Sequence, residues 1–318
     1  MKHMKRIDSA VCILAIAAMV FSGCGMPQES PVSSHQDVSL SDQIMDHARV
    51  SYLGPEGTYT EEAAQFFFPD AESFIPEASV PEAIDDIKAG TADFAVIPQE
   101  NTIGGAVTNY IDALIAEDGV FVTGEVILPI NQTLMGVPGA ALDDIKLVCS
   151  HAQGIKQSEE WRKTNLPDAK TQEMDSTAAA ASYVAQTGDK TIAAVAAPGA
   201  AELYGLSVLA KNVQITDANK TRFYVLSLSR PDLLNRTRAV FVAECEANRI
   251  DDIIVEFRNA GLELVTIHDR PAGSYLGAYR YVIEVENPDG ITEDILKKME
   301  EIPEVRCLGT FDVSEKGI

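Results

Sequence analysis

From Val50 onward, short apolar runs alternate with amphipathic stretches, and the two periods predict strands and helices in alternation. Val50 to Leu53 reads as a strand running into Gly54-Pro55-Glu56-Gly57-Thr58. Ser79-Val80-Pro81-Glu82 has the form of a capping box, and Gly90 is placed to end the helix it starts. Phe94 to Ile97 predicts a strand entering a polar turn at Gln99-Glu100-Asn101. Val107, Tyr110, Ile111 and Leu114 share one helical face, and Val120 to Ile130 is strand-like.

The alternation then returns. Leu147 to Cys149 leads into Ser150-His151, and a helix runs on to Lys163. Ser176 is placed to cap an alanine-rich helix, Ile192 to Val195 is a buried strand, and Thr221 to Ser227 is a further strand. A strand that revisits the first half so late predicts an α/β fold of two lobes joined by crossovers. Ligands in such sheets sit beyond the carboxyl ends of strands, here in the cleft between lobes. After a polar break at Arg230 to Arg236 come a strand (Arg238 to Glu244), a helix (Arg249 to Asn259) and a strand (Leu262 to Ile267). A strand (Tyr279 to Glu286), a helix (Thr292 to Ile302) and a strand (Val305 to Asp312) complete a βαββαβ unit. The expected domains are residues 49–230 and 237–314, and no internal repeat links them.

The first residues add a leader to this picture. Lys2, Lys5 and Arg6 precede an apolar run from Val11 to Phe21, and Ser22-Gly23-Cys24 follows. The run is too short for a bilayer-spanning helix, which takes about 20 apolar residues. Small residues before a cysteine fit a lipoprotein signal, residues 1–23, whose removal leaves Cys24 as a lipid-modified N-terminus. An ordinary signal peptide and a mis-called start on a cytoplasmic enzyme are the alternatives. Residues 24–48 are rich in Ser, Pro, Gln and Asp and read as a flexible tether. The expectation is an exported protein that meets the membrane only through its lipid. A net charge of −23 disfavours nucleic acid as a partner. The five cysteines include no CxxC pair, and neither a nucleotide fingerprint nor a metal-ligand cluster stands out, so no cofactor or metal is implied.

Singly, the polar motifs are ambiguous: Glu100-Asn101-Thr102 can be a turn, and Ser150-His151 a helix cap. Their order discriminates. Tyr52 to Tyr59, Ile97 to Val107, Gly124 to Ile130, Ser150 to Gln153, Asp175 to Ala178, Ala200 to Leu206 and Asn219 to Phe223 resemble, block by block, the prephenate dehydratase family. The resemblance covers residues 49 to 229. It implies a two-lobed, periplasmic-binding-protein-like catalytic domain and a carbon–oxygen lyase of phenylalanine biosynthesis. Prephenate would lose its ring carboxylate as CO2 and its ring hydroxyl as water. Such a site needs a donor to the leaving hydroxyl and cationic or dipolar groups for two carboxylates.

By resemblance, Thr221 is that donor. Arg222 is the candidate carboxylate binder, since its fork matches that group, or else a structural partner for an acid. Thr58, Asn101, Ser150, Gln157 and Ser176 look like neutral donors lining the cleft, with Phe223 beside Thr221. His151 either adds charge or supports a helix, and Glu100 is either a structural acceptor or a participant in proton transfer. Gly104, Ala152, Gly154, Ala179 and Ile215 depart from the family's usual residues without removing any of these groups.

The βαββαβ unit resembles an ACT domain, a ferredoxin-like fold that in this family pairs with another subunit's copy and binds phenylalanine. Arg270 and Pro271 match the family motif, whereas His268 and Asp269 do not. Asn248-Arg249-Ile250 stands where Gly-Ala-Leu is usual, and a side chain there obstructs the backbone's approach to a ligand. The expectation is a homodimer or homotetramer with weak or lost phenylalanine control. First and last strands of such a sheet are antiparallel neighbours, so Cys245 and Cys307 are expected close together, as two buried thiols or, after export, a disulfide. Two other functions stay open: a lipid-anchored solute-binding protein for a small carboxylate, and a prephenate decarboxylase-like enzyme whose product keeps the hydroxyl.

Overall fold

The computed structural model describes residue 45 and residues 47–229 and 235–317; the leader, Cys24 and nearly all of the 24–48 tether lie outside the described residues. Strand β1 (Arg49–Leu53) lies between β2 (Ser73–Glu77) and β3 (Phe94–Asn101), all parallel. Strand β11 (Lys220–Ser227) runs antiparallel between β3 and β5 (Phe121–Pro129). β16 (Val313–Glu315) pairs with β5 at the edge, and β4 (Gly105–Ala106) folds back on β3. Strand residues alternate between the two faces as the pleat requires. Val96, Phe223 and Val225 pack with Ala63 and Ala64 of α1 (Tyr59–Phe67). Ala95, Ile97, Tyr224 and Leu226 face Ile84 of α2 (Val80–Ala89) and Leu114 of α3 (Thr108–Ala116).

The helix starts follow local chemistry. Thr58 and Ser79 accept from the N–H groups of Glu61 and Glu82, and Gly90, at φ 74°, ends α2 in the left-handed region.

The second lobe consists of β6 (Thr133–Gly136), β7 (Leu147–Ser150), β8 (Lys170–Glu173), β9 (Ile192–Ala196) and β10 (Ser207–Ala210). They form one sheet in the order β10–β6–β9–β7–β8. Its helices are α4 (Ala152–Gln157), α5 (Glu159–Asn165), α6 (Thr177–Thr187) and α7 (Gly199–Leu203). The single helix expected up to Lys163 is broken at Ser158, whose hydroxyl donates to the Gly154 carbonyl at 2.7 Å. The sequence pattern does not disclose β8: it is exposed throughout and carries no alternation.

The C-terminal unit runs β12 (Arg236–Glu246), α8 (Ile250–Asn259), β13 (Glu263–Pro271), β14 (Ala278–Ile291), α9 (Glu293–Glu300) and β15 (Val305–Phe311). Its strand order is β13–β14–β12–β15. Ala239, Phe241, Ala243 and Ile283 pack on Ile253 and Phe257 of α8 and Leu296 of α9. The opposite face does not go to solvent. Val240, Val242, Val282, Leu308 and Phe311 share a core with Tyr110, Leu114, Val122 and Tyr224 of the first lobe. The approach is closest at Gly309, where a Cβ would stand 2.2 Å from the Val122 carbonyl oxygen.

β12 and β15 are antiparallel neighbours, but Cys307 faces Phe241, four residues along β12 from Cys245. Four strand residues span about 13 Å, beyond the Cα reach of a disulfide. The expected proximity of these cysteines is therefore corrected by the register. Both are buried.

Candidate active site

The cleft between the lobes has a volume of about 290 Å³. Leu53, Thr58, Tyr59, Pro98, Asn101, Thr221 and Phe223 line it from the first lobe. His151, Gln153, Gly154, Gln157, Asp175 and Ser176 line it from the second, with Gln132 at the crossover. Its floor is set by strand register. β11 and β3 pair Thr221 with Asn101 and Arg222 with Glu100, then slip so that Phe223 meets Pro98. The slip leaves Gln99 as an extra residue on β3, a bulge that reverses the alternation beyond it. Asn101 and Pro98 consequently both face the cleft, while Gln99 and Glu100 both turn to the other face. Thr102 fixes the position of this turn, since its hydroxyl accepts from the Lys220 N–H at 2.6 Å.

Asn101 is held by six groups, one of them the Lys220 carbonyl, which accepts from Nδ2 at 3.2 Å. Its Oδ1 accepts from the N–H groups of Ile103 (3.1 Å) and Gly104 (2.8 Å) and from Gln153 Nε2 (2.9 Å). Backbone N–H groups can only donate, so they fix which end of the amide is oxygen. Nδ2 therefore faces Asn219 Oδ1 at 2.8 Å and Thr221 Oγ1 at 2.9 Å. Thr221 accepts from Asn101, which leaves its own proton to give. Thr221 is only 9% exposed and lines the cleft, so its hydroxyl is available to a group bound there.

The walls offer further dipoles. Thr58 and Ser176 cap α1 and α6, whose first-turn N–H groups have no intrahelical acceptor. Gln132 Nε2 donates to Gln157 Oε1 at 3.0 Å, and both side chains are buried. Their other ends, Gln157 Nε2 and Gln132 Oε1, are buried without a partner among the described residues, and both residues line the cleft. His151 Nδ1 accepts from the Gln153 N–H at 3.4 Å, which assigns the ring proton to Nε2. None of the described lining residues is lysine or arginine.

Three expected site residues do not line the cleft. Ser150 is fully buried, and its hydroxyl donates to the Val195 carbonyl at 2.6 Å. It supports the start of α4 from beneath: a Cβ at Gly154 would come within 2.3 Å of its Oγ. Arg222 and Glu100 lie on the opposite face of the sheet. There Arg222 is ion-paired with Glu125 and Glu284, both fully buried, and sits 3.6 Å from Glu100. The reading of Arg222 as a cleft group is corrected by this placement, because successive residues of β11 point to opposite sides. Glu284 comes from β14 and also binds Arg238 Nη1 at 2.8 Å and the Tyr224 hydroxyl at 2.6 Å. Burial, reinforced by the Glu284 charge, pushes the Glu125 carboxyl up to about 7 against the pull of Arg222. Burial disfavours the Arg222 charge, yet the two carboxylates hold it above its ordinary value.

Of the four positions singled out in the C-terminal unit, two lie on β13, one in a turn and one at a helix start. Arg270 grips Asp112 of α3 at 2.6 and 3.0 Å. Pro271 ends β13, Asn248 is exposed in the turn after β12, and Ile250 begins α8. Among the described residues no cluster of His, Cys, Asp and Glu could hold a metal ion. Gln132 and Gln153 are among the cleft residues that sequence reasoning did not select; Gln153 lies inside a quoted motif, but only tertiary contact gives it a partner.

Comparison with known proteins points the same way. The family profile "Prephenate dehydratase" matches residues 50–231. A prephenate dehydratase from Amycolatopsis methanolica is 31% identical, over 83% of this chain and 88% of that protein. The crystal structure of prephenate dehydratase from Arthrobacter aurescens in complex with L-Phe superposes with a TM-score of 0.74 at 30% identity, over 83% of this chain and 89% of that one. GqqA, described as a novel type of quorum quenching acylase, shares the fold with a TM-score of 0.75 at 25% identity, over 84% and 98%. With its matched segment spanning both lobes and the cleft between them, this chain belongs to the prephenate dehydratase family.

Proposed function

We propose that the cleft converts prephenate to phenylpyruvate, with Thr221 as the group that meets the departing hydroxyl. The bond to the ring carboxylate breaks and releases CO2. Its electron pair enters the ring, which becomes aromatic, and the carbon–oxygen bond opposite breaks. The oxygen leaves with both bonding electrons and must take a proton to depart as water. A threonine is a weak acid, so position and dryness have to supply the advantage. The observation that carries this reading is the 2.9 Å hydrogen bond from Asn101 Nδ2 to Thr221 Oγ1, which frees the hydroxyl proton for the cleft. The same bond stabilises negative charge on Oγ1 as that proton moves toward the leaving oxygen.

The two carboxylates are held by dipoles rather than by a guanidinium. Thr58 and Ser176 line the cleft at the starts of α1 and α6, whose first-turn N–H groups have no intrahelical acceptor, and Gln157 and His151 add donors. Incubating purified protein with prephenate tests the proposal. Phenylpyruvate formation supports it. Tight binding without turnover would identify a solute-binding protein, and a product that keeps the hydroxyl would identify a decarboxylase.

The C-terminal unit acts as an ACT-type regulatory domain that pairs with a second copy. Its support is the βαββαβ order and the sequence resemblance. Phenylalanine is the candidate ligand, since a related prephenate dehydratase is known with L-Phe bound. Asn248 brings a side chain to the turn where the backbone would approach that ligand, so control is weak or lost. Tight calorimetric binding of phenylalanine to the protein would overturn this. Export and lipidation at Cys24 rest on the order of basic, apolar and small residues alone. A mature mass lacking residues 1–23 and carrying a lipid supports them, and an intact cytoplasmic chain defeats them.

A further inference from the structure

We infer that Gln153 is a latch between the lobes that orients Asn101, and through it readies Thr221, when the cleft is closed. The inference rests on the reading of Thr221 as proton donor. Gln153 belongs to α4 in the second lobe, whereas Asn101 and Thr221 belong to the first. Its Nε2 donates to Asn101 Oδ1 at 2.9 Å across the cleft. Another side-chain bond between the lobes, from the Tyr204 hydroxyl to the Glu56 carbonyl at 2.9 Å, ends on backbone away from Thr221. The Gln153 bond ends on the side chain that itself binds Thr221.

The donors at Asn101 Oδ1 are of two kinds. The N–H groups of Ile103 and Gly104 belong to the same turn and stay with Asn101 however the lobes move. Gln153 Nε2 arrives only with lobe closure. A third donor at the oxygen polarises the amide, so that Nδ2 becomes a stronger donor to Thr221 Oγ1. The chain has cleared a path for it. A Cβ at Gly104 would lie 3.0 Å from Gln153 Nε2 and 3.4 Å from Asn101 Oδ1, tight enough to press on the contact. Gln153 acts through Asn101 and is a positioning residue.

The test compares Gln153→Ala, Gln153→Glu and Gly104→Ala in the full-length protein, each relative to wild type at the same pH. His151 and Asp175, titratable groups of the same cleft, are common to all. Gln153→Ala and Gly104→Ala should lower kcat about 3- to 10-fold, the size of one net hydrogen bond, with KM within about twofold. Gln153→Glu places an acceptor against an acceptor. Its kcat should fall below that of Gln153→Ala at pH 8 and recover as the carboxyl becomes protonated, below a pH of about 4.5, and can donate again. A raised KM with unchanged kcat would make Gln153 a substrate contact and overturn the inference, as would a deficit in Gln153→Glu that ignores pH. Should wild type fail to turn over prephenate, the functional reading fails by itself. Small-angle scattering then still decides the latch: Gln153→Glu should be more open than wild type at pH 8 and equal to it in acid, and matching curves at both pH values overturn it.

Discussion

Thr221→Val removes one hydroxyl from the cleft and keeps nearly the same volume. In the folded protein the loss falls on Asn101, whose Nδ2 gives up a 2.9 Å acceptor but keeps Asn219 Oδ1 at 2.8 Å and the Lys220 carbonyl at 3.2 Å. With two acceptors left, the destabilisation should be about 1 kcal/mol or less. The chemical step suffers far more. A positioned donor facing a developing oxyanion is worth about 3–4 kcal/mol, or ~10²–10³ in rate. Substrate binding should change little, because on the proposed reading the carboxylates are held at the α1 and α6 starts rather than by Thr221. The expected outcome is a kcat lowered by about 10²–10³, KM within a few-fold and a nearly unchanged unfolding midpoint. Phenylpyruvate formation at several prephenate concentrations, with calorimetry for binding and denaturant unfolding for stability, measures all three. Thr221→Ser should keep most of the rate. A valine variant within tenfold of wild type would show that another group protonates the leaving oxygen.

Three further outcomes are expected. Glu125 has a folded-state carboxyl raised to about 7, so the stability it contributes is full below its unfolded value of about 4.5 and is lost as pH rises through 7. Glu125→Gln should flatten the fall in unfolding free energy between those limits, an effect of at most about 3 kcal/mol, and an unchanged slope in denaturant titrations would refute it. Gly309→Ala drives a methyl into the Val122 carbonyl, so it should destabilise the protein by several kcal/mol, about the cost of overpacking with backbone strain; a wild-type melting temperature would show that β15 and β5 can move apart. Finally, a chain of net charge −23 repels a dianion, and no described lining residue is a lysine or arginine. Raising ionic strength from about 20 to 200 mM should therefore increase kcat/KM by screening, and a decrease would mean that cations line the approach.

Much of the architecture is written in local sequence. Ser79, Ser176 and Gly90 occupy the caps their residue types favour, because a cap depends on neighbours within three or four positions. The unbroken apolar run Ala239-Val240-Phe241-Val242-Ala243 already signals a strand buried on both faces, as β12 is. The ordered polar motifs likewise mark the cleft through Thr58, Asn101, Ser176 and Thr221.

Which way a side chain points is a different matter. Gln99 and Glu100 are adjacent, and only the bulge formed against β11, some 120 residues later, turns both to the ion-pair face and returns Pro98 to the cleft beside Asn101. Arg222 reads from sequence first as a ligand for carboxylate and only secondly as a buried partner; Glu284, brought in by the C-terminal sheet, places it as the latter. Cys245 and Cys307 share neighbouring strands but miss each other by four residues of register. Caps and periods are short-range physics and can be read from the chain. Register, bulges and the docking of one sheet on another are set by contacts between distant segments, and only the assembled tertiary structure decides them.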